Sequence, residues 1–475
     1  MSEEKKSGLS RRDFLRSLSV LVAGGVVAAC GGAGGGAQDS GGGDSGQSAG
    51  SAADSAKSDA PAGEAKTISY WVFWSQPGTI ADQLLADPEL ENYIGAGNSL
   101  DFKSGVNQEA RLTAVAGGTP PDVGILGNYL DFMSRDVVVP IEDYIASSSI
   151  ISEDNFIPGN WEVIQYQGTV YGVPGFECFV RRGLEYNAKL VEEAGLDPDT
   201  PPVTWDELMV WHEALTKFDD AGNLIQYGLD PYDAEGGTGP GNDGWFAMES
   251  WDVTYFDEDT KEFDLDNDMV AESMDVMGEF IKVIGPDNLA GLRQVEGQGT
   301  WGGAFNAEVQ AMIIEGYWHP GETVNEKPEV AEHNRSTWVP VPEARRGTKI
   351  QFGGGHMAFL FKDGKNKEEA WGVTEWIQSD HVCNLIYDQI GWLPAYLPYF
   401  DNADQEKYPG LKFYFDSVKE ANYWGPFIVC EIQAFVQTQY QQLREQVYRG
   451  ELNGKEAAAK LQDEAVKEWK AAGFG

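Results

Sequence analysis

Basic side chains are scarce in this 475-residue sequence: 34 Lys and Arg stand against 76 Asp and Glu, a net charge of −42. So negative a surface repels phosphates, which excludes a nucleic-acid partner. In dilute buffer the chain would also repel itself. At about 1 M salt the Debye length falls to ~3 Å and that repulsion is screened. The composition therefore fits a halophilic protein. The acid is spread along the chain and reads as a solvated surface rather than a metal-binding tail.

Cysteine is nearly absent, with four in all. If Cys30 is used elsewhere, Cys178, Cys383 and Cys430 leave room for at most one disulfide and form no CxxC, so there is no disulfide framework. Buried free thiols are the plainer reading. Histidine is limited to His212, His319, His333, His356 and His381, with no metal-ligand spacing. GxSxG, HExxH, a Walker A loop and a strand-borne GxGxxG are all missing. The acid clusters Asp257-Glu258-Asp259 and Asp264-Leu265-Asp266-Asn267-Asp268 lack the Gly and terminal Glu of a calcium loop and read as solvated turns. Among so many acids a pair at glycosidase spacing arises by chance, so no catalytic residue, metal or cofactor is expected. No apolar run reaches the roughly 20 residues of a bilayer span.

What is present begins at the N-terminus. Ser10-Arg11-Arg12-Asp13-Phe14-Leu15 precedes a soft apolar run, Ser17 to Ala29, and then Cys30. A charged head, an apolar middle and small residues before a cut site make an export signal, and the arginine pair points to the twin-arginine route. Val27-Ala28-Ala29-Cys30 has the shape of a lipobox, so residues 1–29 are expected to be removed and Cys30 lipidated. A chance arginine pair before a simple membrane anchor is the alternative. Residues 1–29 carry five positive and three negative side chains, so the remainder stands near −44. Residues 30–66 then form a Gly/Ser-rich linker with a reach on the order of 30 Å.

The body is long enough for two or three domains. Strand-like and helix-like stretches alternate, which implies an α/β fold. Strands are expected at 67–74, 122–126, 170–174, 183–187, 311–314 and 351–361. Helices are expected at 80–91, 109–116, 189–194, 205–218, 269–284, 301–308, 366–378, 435–449 and 455–471, the last with an apolar stripe at Ala457, Leu461, Ala465 and Trp469. Thr204 and Glu207 have capping-box spacing. Aromatic side chains collect at strand ends and loops. They suit the flat C–H faces of sugar rings, although any one of them is as well explained by core packing.

Six motifs in order carry a resemblance. They are Gly117-Gly118-Thr119-Pro120-Pro121-Asp122-Val123; Tyr171-Gly172-Val173-Pro174 with Arg182-Gly183-Leu184 and Tyr186-Asn187; Pro202-Val203-Thr204-Trp205-Asp206-Glu207-Leu208; Ala311-Met312 through Gly316-Tyr317-Trp318; Asn366-Lys367-Glu368-Glu369-Ala370-Trp371; and Gly391-Trp392-Leu393-Pro394-Ala395. Over residues 67–475 the chain resembles the extracellular solute-binding proteins of ABC importers, the type that includes maltose- and glycerol-phosphate-binding proteins, here as a haloarchaeal-type lipoprotein.

The resemblance implies a two-lobed periplasmic-binding-protein-like fold of class II, each lobe a mixed sheet flanked by helices, joined by hinge crossings. One lobe would hold 67–176 and 350–394, the other 177–349 and 395–475. It implies that ligand lies between the lobes, against Trp71, Trp74, Ser75, Asn128, Tyr129, Glu177, Phe179, Trp245, Trp318, His319, Gly354, His356 and Trp424. Trp318 is the foremost stacking candidate, and Asp122 reads as structural. None of these positions is Arg or Lys, which favours a neutral sugar; Arg181 and Arg182 lie nearby but read equally well as structural ion pairs. The implied protein is a monomeric, non-enzymatic carbohydrate receptor. It would be tethered to the outer face of the cell membrane through Cys30 and would serve ABC permease subunits. Alternatives are the same fold for glycerol phosphate or a peptide, and a secreted glycoside hydrolase.

Overall fold

The computed structural model describes residues 64–72, 78–127, 129–232, 249–289, 303–425 and 430–475. Cys30 with the signal and nearly all of the linker, and Trp74, Ser75, Asn128 and Trp245, lie outside the described residues. Strands are numbered in chain order: β1 Thr67–Trp71, β2 Ser99–Lys103, β3 Val123–Leu126, β4 Gly172–Pro174, β5 Gly183–Asn187, β6 Lys217–Phe218, β7 Leu224–Leu229, β8 Gln310–Glu315, β9 Asn334–Thr337, β10 Ile350–Gln351, β11 Met357–Leu360 and β12 Tyr423–Trp424.

Two five-stranded mixed sheets make two lobes. The first has the order β2-β1-β3-β11-β4. β1 runs parallel to β2 and β3, and β11 runs antiparallel to β3 and β4. The second has the order β9-β5-β8-β7-β6. β8 is parallel to β7 and antiparallel to β5. Every residue of β3, β5, β8 and β11 is buried, as befits strands covered on both faces. Each sheet carries its own apolar core.

Ala395, Tyr399, Phe400, Tyr408, Leu411, Tyr414 and Phe415 pack in the core of the first sheet, although the segment beginning at 395 was expected with the second lobe. Tyr414 also reaches across, its hydroxyl donating to Glu185 Oε1 of β5 at 2.6 Å. The 395–420 segment therefore joins the lobes. Helices Asp268–Ile284, Gln433–Tyr448 and Gly454–Ala471 cover the second sheet, and Ala457, Leu461, Ala465 and Trp469 are buried there.

Several expected boundaries move for local reasons. The helix expected at 80–91 is two, Gly78–Leu85 and Leu90–Ile94, because Pro88 cannot continue the first. The Trp205–Leu215 helix ends early, and Lys217 pairs with Gln226 instead. At its start Thr204 accepts from Glu207 N as expected, but the Glu207 carboxylate reaches back to Val203 N rather than to Thr204. The strand expected at 351–361 splits into β10 and β11 around Gly353-Gly354-Gly355. Gly354 and Gly355 have φ of 149° and 113°, where a side chain would be strained.

Asp122 is a structural anchor. Its carboxylate accepts from Ser69 N and Oγ, Lys365 N, Asn366 N and Asn366 Nδ2, tying β1 to the Lys367–Trp376 helix. Burial acts to raise its pKa, but hydrogen bonds from Ser69 and Asn366 outweigh burial and hold it below the usual range. Cys178, Cys383 and Cys430 are buried free thiols. Asp257 closes a tight turn by accepting from Asp259 N and Thr260 N. Among the described residues no His, Cys, Asp and Glu group is placed to hold a metal ion, and no helix is long and apolar enough to cross a membrane.

Candidate functional site

Three crossings run side by side between the lobes. Cys178 N donates to Leu393 O at 2.8 Å, Arg181 N to Phe352 O at 3.1 Å, and Gly175 N to His356 O at 3.1 Å. Asn160 clamps them, its Nδ2 donating to Gly354 O at 2.8 Å and Phe179 O at 3.2 Å. The Cys178 thiol donates to the same Gly354 carbonyl at 2.8 Å. Burial first, then the charge of Glu177, pushes the Cys178 pKa up, so it stays a thiol. A Cβ on Gly353 would run into the Gly159 backbone, which is why glycines meet here.

The crossings place polar side chains beside an aromatic one. His356 Nδ1 and Glu177 Oε2 are 2.7 Å apart, although Glu177 is only 7% exposed. The His356 ring lies alongside Gly127, just beyond β3. Trp318 opens the helix Trp318–Glu326 directly after β8, and its indole folds back over Gly316. The Arg181 guanidinium sits 5.0 Å from the centre of the indole, a cation–π contact. A ring stacking on that face of Trp318 must lie beside Arg181 or displace it. Tyr129, after β3, is mostly buried and stacks on Phe359 at 5.8 Å. Burial raises its pKa, and the Arg181 charge acts in the opposite direction.

The two arginines have different tasks. Arg182 makes a buried two-pronged pair with Glu249, Nε to Oε2 at 2.6 Å and Nη2 to Oε1 at 2.7 Å. Arg181 faces Trp318. The sequence marked both arginines without separating them.

Glu177, Gly354 and His356 thus sit on the crossings, and Trp318 meets them through Arg181, with Tyr129 close by. Trp424 joins from β12. It pairs with Gln351, and its ring would touch a side chain at Gly159. Other expected residues are not brought there. Phe179 is fully buried between Tyr317, Phe400 and Phe415 at 5.4, 4.9 and 5.7 Å. His319 is enclosed against Phe305 at 4.7 Å, and burial pushes its pKa down to about 3, so it is neutral. The ring of Trp71 lies 5.4 Å from Lys103 Nζ at the end of β1.

One acid escaped the sequence reading. Glu322, on the Trp318–Glu326 helix, accepts from Trp392 Nε1 at 2.9 Å. Burial pushes its pKa up to about 8 despite that bond. Near pH 7 it is mostly protonated. Spacing alone singles out neither Glu322 nor Asn160, because both depend on helix packing against distant crossings.

Residues 98–382 match the family described as bacterial extracellular solute-binding protein. A protein of Brucella abortus (strain 2308) named as a binding protein is 23% identical over 335 residues, 63% of this chain and 70% of its own length. Among solved structures, an ABC transporter solute-binding protein of Thermotoga lettingae TMO bound with α-D-tagatose superposes with a TM-score of 0.69 at 18% identity, over 85% of this chain and 99% of that one. The sugar-binding protein MalE of Xanthomonas citri superposes with a TM-score of 0.65 at 20% identity, over 86% of this chain and 100% of that one.

Proposed function

This chain belongs to the bacterial extracellular solute-binding protein family, and on that premise we propose that it captures a carbohydrate between its lobes and delivers it to the permease of an ABC importer. The observation that carries the reading is that the crossings bear the Glu177–His356 pair and Arg181, whose guanidinium lies against the Trp318 indole. An aromatic face binds the C–H side of a sugar ring, and the charged and imidazole groups around it hydrogen-bond hydroxyls. The Thermotoga and Xanthomonas proteins of the same fold, bound with tagatose and named as sugar-binding respectively, support a sugar as the solute class.

Binding shifts an equilibrium between open and closed lobes; no bond is broken. Trp318, Glu177, His356, Tyr129 and Trp424 contact the solute in this account, while Phe179 and His319 stiffen the surfaces behind them. The tether is Cys30, reached after twin-arginine export, with the linker holding the body near the membrane. Cys30→Ala is expected to release the protein into the medium; retention on the membrane without detergent would instead make the apolar run an uncleaved anchor.

Thermal-shift screening in molar KCl against mono- and disaccharides, peptides and phosphorylated solutes tests the reading. Stabilisation by at least one carbohydrate is expected. Stabilisation by a peptide or phosphate alone would replace the carbohydrate with that solute, and turnover of an oligosaccharide would make the protein a glycoside hydrolase.

A further inference from the structure

Gln351 is fully buried in β10. Its Nε2 donates to Arg182 O and to Ser417 Oγ, both at 2.8 Å. Its Oε1 accepts from Arg182 N at 3.2 Å and from Phe352 N at 3.3 Å. Two donated and two accepted bonds are the whole capacity of a carboxamide. Holding both the N–H and the C=O of Arg182 also fixes which way round the amide lies. A carboxylate could not make the donated bonds, and an aliphatic side chain could make none.

Two groups of the candidate site hang on this one residue. Arg181 N donates to Phe352 O at 3.1 Å, so the 181–182 and 351–352 crossings are joined at both residues. The stem of Arg181 passes Gly354, where an added Cβ would come within 3.3 Å of Arg181 Cδ. Its guanidinium ends 5.0 Å from the centre of the Trp318 indole. The Gln351 backbone meanwhile carries β12: Gln351 is paired with Trp424, and Gly425 N donates to Gln351 O at 2.8 Å. Ser417, at the fourth bond, passes its own hydroxyl hydrogen to Tyr414 O at 2.8 Å. Both lie in the helix Leu411–Glu420, part of the segment that joins the lobes.

We infer that Gln351 is a positioning residue for the solute: its side chain aims Arg181 at Trp318 while its backbone holds Trp424, so one residue relates the two indoles offered to a sugar. The nature of the solute rests on the carbohydrate reading above. Without the amide, the buried N–H and C=O of Arg182 lose their partners, and the crossing must shift to replace them. Binding sites fail when the groups that hold them slacken by about 1 Å.

The test compares the full chain in molar KCl with Gln351→Met and with Ser417→Ala, which removes one partner of the amide and spares its hold on Arg182. The first readout needs no sugar. In NMR of arginine-labelled protein, the Arg181 signal is displaced by the Trp318 ring beside it and is assigned with Arg181→Lys. Gln351→Met is expected to move it toward the ordinary arginine position, and Ser417→Ala to leave it in place. The second readout is titration calorimetry with D-tagatose, maltose and mannobiose and with any other sugar that stabilises the wild type. Gln351→Met is expected to bind at least about tenfold more weakly, the scale of leaving buried backbone groups unpaired. Trp424→Ala should then cost less in that background than in the wild type, because the two residues act together. Ser417→Ala is expected to lower Tm and to change affinity less than about twofold. Should Gln351→Met fail to fold, Gln351→Asn, whose shorter amide is drawn back from Arg182, must still move the Arg181 signal.

A lowered Tm in Gln351→Met with the Arg181 signal and the sugar affinities of the wild type overturns the inference and leaves Gln351 a packing residue. Equal changes in Ser417→Ala overturn it as well, because the loss would then follow stability alone. Absence of sugar binding by the wild type overturns the carbohydrate reading instead, and the Arg181 signal still decides whether Gln351 aims that side chain.

Discussion

Glu177 Oε2 and His356 Nδ1 meet at 2.7 Å, joining two of the crossings between the lobes. The pair fixes one imidazole nitrogen. Glu177→Ala removes that partner. Solute affinity is expected to fall by about 1–3 kcal/mol, the scale of losing a buried polar partner. Titration calorimetry checks it, and unchanged affinity would remove Glu177 from the site.

Trp318 gives the second prediction. Trp318→Ala loses the aromatic face and the Arg181 contact together. A drop of about 0.5–1.5 kcal/mol in carbohydrate affinity is expected from the ring interaction alone. Trp318→Phe should retain part of it. Equal affinity of the wild type and Trp318→Ala would place the solute elsewhere.

Stability should depend on pH in opposite senses at the two ends. Burial raises Glu322 to about 8 and Glu185 to about 7, from an unfolded value of 4.5. Their contribution is full below the unfolded value and is lost as pH rises through 7 and 8. Burial lowers His212 to about 4 and His319 to about 3, from 6.5. Their contribution is full above 6.5 and is lost as pH falls toward 4. Tm in molar salt should therefore peak between about pH 5 and 6.5, with Glu322→Gln flattening the alkaline side. An alkaline slope left unchanged by Glu322→Gln would contradict the role given to burial.

The Arg182–Glu249 pair has both side chains largely shielded from water. Arg182→Met strands the carboxylate, and a loss of about 3–5 kcal/mol is expected in denaturant titrations. Adding Glu249→Leu should recover most of it. No recovery in the double variant would mean that Arg182 acts through its contact with Phe352 instead.

The fold was largely legible because its elements obey local rules. Ala457, Leu461, Ala465 and Trp469 recur every four residues, and Ala311-Met312-Ile313-Ile314 of β8 is an uninterrupted apolar run. The breaks were less legible: Pro88 and the Gly353-Gly354-Gly355 run act through backbone geometry that periodicity does not register. At the site, Trp318 was marked by its motif position, and Glu177 and His356 by the crossings that the resemblance implies. Phe179 and His319 stand close to them in sequence yet turn into cores, because the side chain's direction depends on which neighbour fills the space. Gln351 carried no signal at all. A glutamine at the start of a strand reads as polar surface until packing encloses it.

The central claim, a carbohydrate held on the crossings, is tested most directly by titration calorimetry of the wild type and Trp318→Ala in molar KCl against a panel of neutral and acidic mono- and oligosaccharides. The account predicts saturable binding of one sugar per chain by the wild type, with the sugar recovered unchanged and its affinity sharply reduced in the variant. No heat with any sugar, or binding that Trp318→Ala leaves intact, would contradict it.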